Sequence, residues 1–344
     1  MKEIEVVKGE DGQRLDKFIK RKLSYAPASF VYKMLRKKNI TLNGKKADGS
    51  ELLSPGDRVT FFLSDQTFDK FHLGREDASK EAGESGDETD RRAMEEMLAE
   101  GKKAGGIEVL YEDRDVLLVV KPAGILSQKA APGDVSVNEW LLSHLLEKAE
   151  DPLALYRSFR EFRPSVCNRL DRNTGGILIC AASLTGSRVM TGLIRERKIR
   201  KFYRMVVVGE MEEGGRIEGW ISKDHASNKV TFSTERIPDA DFSRTIYKPL
   251  RKGNGLTLVE AELITGRSHQ LRAQFAHLGH PIAGDPNYGD RERMRFLSDR
   301  FHIRRQLLYC CRLEFPPLEG DCSALSGRKT EAPLPALYTR VLKG

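Results

Sequence analysis

Apolar residues recur at helical spacing in QRLDKFIKRKL, where Leu15, Phe18, Ile19 and Leu23 share one face and lysines and arginines occupy the other. A second helix follows, with Phe30, Met34 and Leu35 as its apolar side and Arg36, Lys37 and Lys38 at its close. NITLNGKKADGSELLSPGDRVTFFL then reads as strand, Asn-Gly turn, loop, Pro-Gly turn and strand. Further on, GIEVLYEDRDVLLVVKPAGILS alternates and then runs continuously apolar, and strand-like runs recur at 177–182, 202–208, 230–233, 256–264 and 308–315. Helical periodicity lies near 136–148 and 184–196, and from about 269 to 277. Many strands without regular alternation with helices predict an α+β fold. Its larger domain should sit on a mixed, mostly antiparallel β-sheet with a central cleft, beside a small N-terminal α/β domain.

Charge divides the chain in the same places. The net is +6 over 1–64, −5 over 65–105 and +7 over the remainder, for +8 in all. The acidic middle is poor in β-branched and large apolar residues, so it cannot bury enough surface to offset ordering. It is expected to be a flexible linker over 66–105, with a helical stretch near 90–101. The expected organisation is therefore a small domain at 1–65, that linker, a large domain at 106–320, and a tail at 321–344 packing back on it. A start without a signal-type apolar core, apolar runs too short to span a membrane, and five cysteines without framework spacing predict a cytoplasmic protein.

Several chemistries lack their residues. H-x-x-H at 277–280 has no accompanying cysteines or H-E-x-x-H helix, so no metal is expected. There is no Walker-type loop, no G-x-G-x-x-G opening a helix and no G-x-S-x-G elbow. Five ordered stretches remain: LLVVKPAG at 117–124, NRLDRNTGG at 168–176, KFYRMVVVGE at 201–210, GRSHQLR at 266–272 and HPIAGDPNYG at 280–289. Within the second, Asp171 is one carboxylate between Arg169 and Arg172. It is either a loop acid neutralised by its neighbours or a catalytic group.

In this order the five stretches resemble the RluA-type pseudouridine synthases over about 107–315, and 14–63 resembles the αL RNA-binding domain of a small-subunit ribosomal protein. The resemblance implies an RNA pseudouridine synthase (an isomerase) needing no cofactor, acting on RNA, ribosomal RNA being favoured and tRNA the alternative. A monomer without membrane attachment is expected. It implies Asp171 as the catalytic carboxylate, Arg272 as its charge partner with Arg267 the less favoured choice, and Tyr203 as the active-site tyrosine. Arg169, Arg267 and His269 are implied as RNA contacts. Arg36, Lys37 and Lys38 fit a phosphate-binding surface, or merely favourable charge at a helix C-terminus. The family's usual H-R-L-D-x-x-T-S-G carries Asn168 and Gly175 here, departures that bear on substrate subgroup more than on activity. A non-catalytic RNA-binding or assembly protein keeping the fold is the rival reading. A glycosidase, which would need a second carboxylate near Asp171, is the remote one.

Overall fold

A computed structural model describes residues 1–7, 10–23, 26–71, 83–131, 133–223 and 230–343. In chain order the elements begin β1 (Lys2–Glu5), α1 (Leu15–Lys22), α2 (Ala28–Arg36), β2 (Ile40–Leu42), β3 (Lys45–Lys46), β4 (Arg58–Phe61), α3 (Asp65–Phe71) and α4 (Gly83–Gly101). There follow β5 (Glu108–Glu112), β6 (Val116–Lys121), α5 (Val137–Lys148), α6 (Pro152–Ser158), β7 (Ser165–Val166), β8 (Gly175–Ala181) and α7 (Leu184–Arg195). The remainder are β9 (Arg200–Val208), β10 (Gly215–Lys223), β11 (Val230–Ser233), β12 (Asp241–Gly253), β13 (Leu256–Leu263), α8 (Gln270–His277), α9 (Arg291–Phe301), β14 (Leu308–Glu314), β15 (Lys329–Glu331) and α10 (Leu337–Arg340). They form two compact units: Met1–Glu96 with Lys148–Arg163, and Met97–Glu147 with Pro164–Gly344.

In the first unit the four strands order as β1-β4-β2-β3. Leu15, Phe18, Ile19 and Leu23 of the first apolar face are buried with Met34 and Leu35 of the second, against Ile40, Val59 and Phe61. Each fully buried side chain of this size contributes roughly 1.5–3 kcal/mol, so two short helices suffice to cover one small sheet. The Asn-Gly turn takes positive φ at both positions, 50° at Asn43 and 72° at Gly44, with Leu42 paired to Lys45. That is the two-residue hairpin geometry which favours this dipeptide.

The expected flexible linker over 66–105 is corrected on both sides of residues 72–82, which lie outside the described residues. Phe68 of α3 is buried in the first unit's core and Phe71 packs against it. Three-residue spacing on one helical turn is too little periodicity to stand out in an acidic context. Helix α4 starts at Gly83, a full two turns before the expected stretch. Its early acids are held by cations remote in sequence: Arg157 donates from Nε to Asp90 at 3.0 Å and also bonds Asp87, and Arg160 bonds Asp90.

The second unit is built on one mixed sheet, ordered β11-β10-β12-β13-β9-β14-β8-β6-β5, with β7 added to β8 and β15 to β14. Strand β14 runs parallel to β8 and antiparallel to β9. Strands β10 and β12 were not legible as apolar runs. β10 alternates buried with half-buried residues, while β12 buries only Ser243 and Thr245, carries charges and shifts register at Pro249. Near the end of the chain, Tyr338, Val341 and Leu342 are buried in this unit's core, and Asn254 Nδ2 donates to the Val341 carbonyl at 2.9 Å. Among the described residues, no helix is long and apolar enough to cross a membrane.

Candidate active site

The loop 168–174 joins β7 to β8, the strand at which the sheet is most deeply buried: all seven residues of β8 are inaccessible. Five groups from outside the loop pin it. Ser127 Oγ donates to the Leu170 carbonyl at 3.1 Å and accepts from the Leu170 amide at 3.0 Å. Asn168 Oδ1 accepts from the Ile179 amide at 2.9 Å, so the residue that departs from the family pattern fastens the loop to β8. Gln306 Nε2 donates to Thr174 Oγ1 at 2.8 Å. The Arg172 carbonyl accepts from the Gly124 amide at 2.7 Å and from Lys121 Nζ at 3.1 Å, which brings the KPAG turn under the loop.

Lys121 is fully buried and also donates to the carbonyls of Pro122 and Ile125. Burial pushes its pKa down to about 7 and Arg305 adds to that, while Asp171 opposes it. The ammonium has three N–H groups, and each has a carbonyl to satisfy.

Asp171 stands at the edge of a cleft of about 830 Å³ lined also by Arg169, Tyr203, Arg267, His269 and Arg272. Its side chain is one-third exposed, whereas that of Arg272 is only 6% exposed. Arg272 Nη1 donates to Asp171 Oδ2 at 3.2 Å. The same guanidinium donates from Nε and Nη2 to Asp285 Oδ2 and Oδ1 at 2.7 and 2.9 Å. Burial pulls the Arg272 pKa down, but Asp285 and Asp171 more than reverse this and hold it above its ordinary value. One permanently charged fork is thus fixed by a buried acid and turns its remaining edge to Asp171.

His269 caps α8 in a left-handed conformation, φ 52°. Its Nδ1 bonds Tyr288 Oη at 3.0 Å and its Nε2 lies 3.7 Å from Asp171 Oδ2. Burial lowers its pKa and Arg272 adds to this, outweighing the attraction of Asp171 and Asp285, so the ring is neutral at physiological pH. Tyr203, buried on β9 opposite Cys310 of β14, has its pKa raised well above the ordinary value by burial, with Cys310 and Asp171 acting in the same direction. Its phenol stays protonated.

Arg169 is exposed on the rim, and Arg172 points elsewhere, to Asp134 at 3.4 Å. Arg267 pairs with Asp241 at 3.1 Å. Arg36, Lys37 and Lys38, all exposed, lie in the first unit at the end of α2. Sequence reasoning missed Lys121, Ser127, Asp285, Tyr288 and Gln306. The stretches KPAG and HPIAGDPNYG contain three of these residues but gave no role to Lys121, Asp285 or Tyr288. Among the described residues, no group of three or more His, Cys, Asp or Glu side chains is placed to hold a metal ion.

A loop acid, a shared arginine and a buried phenol thus line one open polar cleft. A family model described as RNA pseudouridylate synthase matches residues 115–277, and an S4 domain model matches residues 13–59. The chain is 30% identical over 336 residues to "Ribosomal large subunit pseudouridine synthase C" of Rickettsia conorii, covering 96% of each chain. It is 28% identical to the protein of the same name from Vibrio parahaemolyticus, over 97% of this chain and 93% of the other. The structure of human RNA pseudouridylate synthase domain containing 4 shares the fold, with a TM-score of 0.53 at 21% identity, covering 72% of this chain and 96% of that one. The chain belongs to the RluA-type RNA pseudouridine synthases that carry an N-terminal S4 domain.

Proposed function

We propose that this enzyme isomerises specific uridines of large-subunit ribosomal RNA to pseudouridine, with Asp171 as the catalytic carboxylate. The observation that carries the reading is the Arg272-held Asp171 at the cleft, beside Tyr203, in a chain whose near-full-length relatives are named for the large ribosomal subunit. The reaction breaks the glycosidic carbon–nitrogen bond, turns the base, and rejoins it through a ring carbon. An ionised carboxylate near the sugar serves it by attacking the anomeric carbon or by taking a sugar proton. Arg272 favours the ionised, oriented form of that carboxylate. Tyr203 stacks on the base. In the last step its protonated phenol gives its proton to the freed ring nitrogen as it takes the one lost by the ring carbon, so that no net proton is consumed.

The target uridine must leave its stack to reach the cleft, at a cost of a few kcal/mol. Arg169, exposed on the rim, fills the vacated stack with its flat guanidinium. Arg267 and His269, which line the same cleft, contact the RNA there, and Arg36, Lys37 and Lys38 of the S4 domain contact phosphates. The enzyme works as a cytoplasmic monomer without cofactor. A second buried carboxylate does lie near Asp171, but Asp285 is fully inaccessible and committed to Arg272 and the Asn287 amide, which disfavours glycosidase chemistry.

Site-resolved pseudouridine mapping of ribosomal RNA and tRNA, from cells with and without the gene, tests the reading. Loss of pseudouridine at defined large-subunit uridines, restored by the wild-type gene and not by Asp171→Asn, is expected. Losses confined to tRNA would overturn the ribosomal assignment.

A further inference from the structure

Between the cleft residue Asn287 and the cleft residue Gln306 the chain makes an excursion from which Tyr288 and Arg305 reach the site and on which helix α9 stands apart from the groups already described. Its helix α9 is capped by Asp290, whose Oδ1 accepts from the Arg293 amide at 2.9 Å. One face is anchored: Leu297 is buried, and Met294 and Phe301 pack against the core. On the flank, Arg293, Phe296 and Arg300 follow one another at i, i+3 and i+7, a spacing that aligns them in one stripe. All three are exposed, Phe296 by 55%, and the Arg300 guanidinium lies 5.8 Å from the Phe296 ring centre. Beyond the helix, Arg304 and Arg305 are also exposed, and Arg305 Nη1 donates to the Ala123 carbonyl at 2.9 Å in the KPAG turn.

A solvated helix face does not need a large exposed aromatic between two arginines. Aromatic and guanidinium planes alternating along a stripe suit a single-stranded nucleic acid, whose bases stack and whose phosphates pair with arginine. We infer that the Arg293–Phe296–Arg300 stripe is a docking surface for the RNA flanking the target uridine. Phe296 stacks an unpaired base and the two arginines hold phosphates. Two observations commit the surface to RNA: its positive charge complements phosphate, and its segment begins and ends in the cleft that receives the target nucleotide. The inference rests on the proposed function for the identity of that RNA.

The test measures binding of the full-length enzyme to a large-subunit ribosomal RNA transcript at several salt concentrations. Arg293→Ala/Arg300→Ala should raise Kd about tenfold and flatten the log–log salt slope by about 1.4, since each phosphate contact contributes about 0.7 on a single strand. Arg293→Lys/Arg300→Lys should keep the slope. Phe296→Ala should raise Kd about fivefold or more with the slope unchanged, because stacking releases no counterions. A double alanine variant with the wild-type Kd and slope would overturn the docking surface, and an unchanged Kd for Phe296→Ala would overturn the stacking role. A wild-type enzyme that forms no pseudouridine on the transcript would instead count against the functional reading, and the binding data would still decide the stripe.

Discussion

Arg272 and Asp285 form a buried, doubly hydrogen-bonded ion pair, with bonds of 2.7 and 2.9 Å between side chains that are almost wholly inaccessible. The pair occupies the Nε–Nη2 edge of the guanidinium and leaves Nη1 directed at Asp171. Asp285 is therefore a positioning residue: it fixes the arginine that fixes the acid. Removing one partner of such a pair strands a buried charge and costs about 3–5 kcal/mol. Asp285→Ala should lose that much in urea unfolding. Asp285→Asn, which keeps one acceptor, should lose less, and kcat should fall for both with little change in KM for RNA.

Asp171→Asn preserves the shape of the side chain and removes its charge. The loop is held by Ser127, Asn168, Gln306 and Lys121 rather than by this carboxylate, so folding should be retained. Single-turnover pseudouridine formation should drop by more than about 10⁴-fold. Filter binding of the RNA transcript should change only a few-fold.

Gly176, the second residue of β8, follows the Asp171 loop at φ +111°, and a Cβ there would lie 2.2 Å from the Cys310 carbonyl oxygen. Neither backbone can yield, because both strands lie in the core of the sheet. Gly176→Ala should destabilise the protein by roughly 2–5 kcal/mol through strain and overpacking. Thermal unfolding checks this, and a variant melting within about 2 °C of wild type, no more than the shift about 1 kcal/mol produces in a chain of this size, would show that the strands separate more easily than their packing implies.

Lys121 gives a pH dependence with a definite sign. Its pKa is about 7 when folded and near the ordinary lysine value, about 10.4, when unfolded. Between those values the unfolded chain binds more protons, so stability rises with pH through this window and is independent of the residue below it. Lys121→Met should be less stable throughout, having left three carbonyls unpaired. The wild type's advantage over it should grow as pH is raised from about 7 towards 10. Urea midpoints of both proteins across that range provide the measurement.

Much of the fold was legible because burial leaves a periodic trace. The helix at 137–148 and the strands at 200–208, 256–263 and 308–314 stand within two residues of the apolar patterns that announced them. What escaped were elements whose partners are remote. The early turns of α4 depend on Arg157 and Arg160, some seventy residues on, and β10 and β12 show alternation broken by charges. The site divided in the same way. Asp171, Tyr203 and Arg272 were each marked by an ordered motif, and the structure lines one cleft with all three.

The sequence by itself determined the local features: which segments bury a face, where the Asn-Gly hairpin turns, and that a lone acid sits in a loop ahead of a fully apolar strand. These follow from residue spacing and backbone chemistry, which act over a few positions. Only the tertiary structure decided which arginine answers that acid. Arg169 and Arg172 adjoin Asp171 in sequence, yet one stands exposed on the rim and the other turns to Asp134. Arg272 reaches Asp171 from 101 residues away because Asp285 holds it in the dry interior, where a charge persists only with a partner.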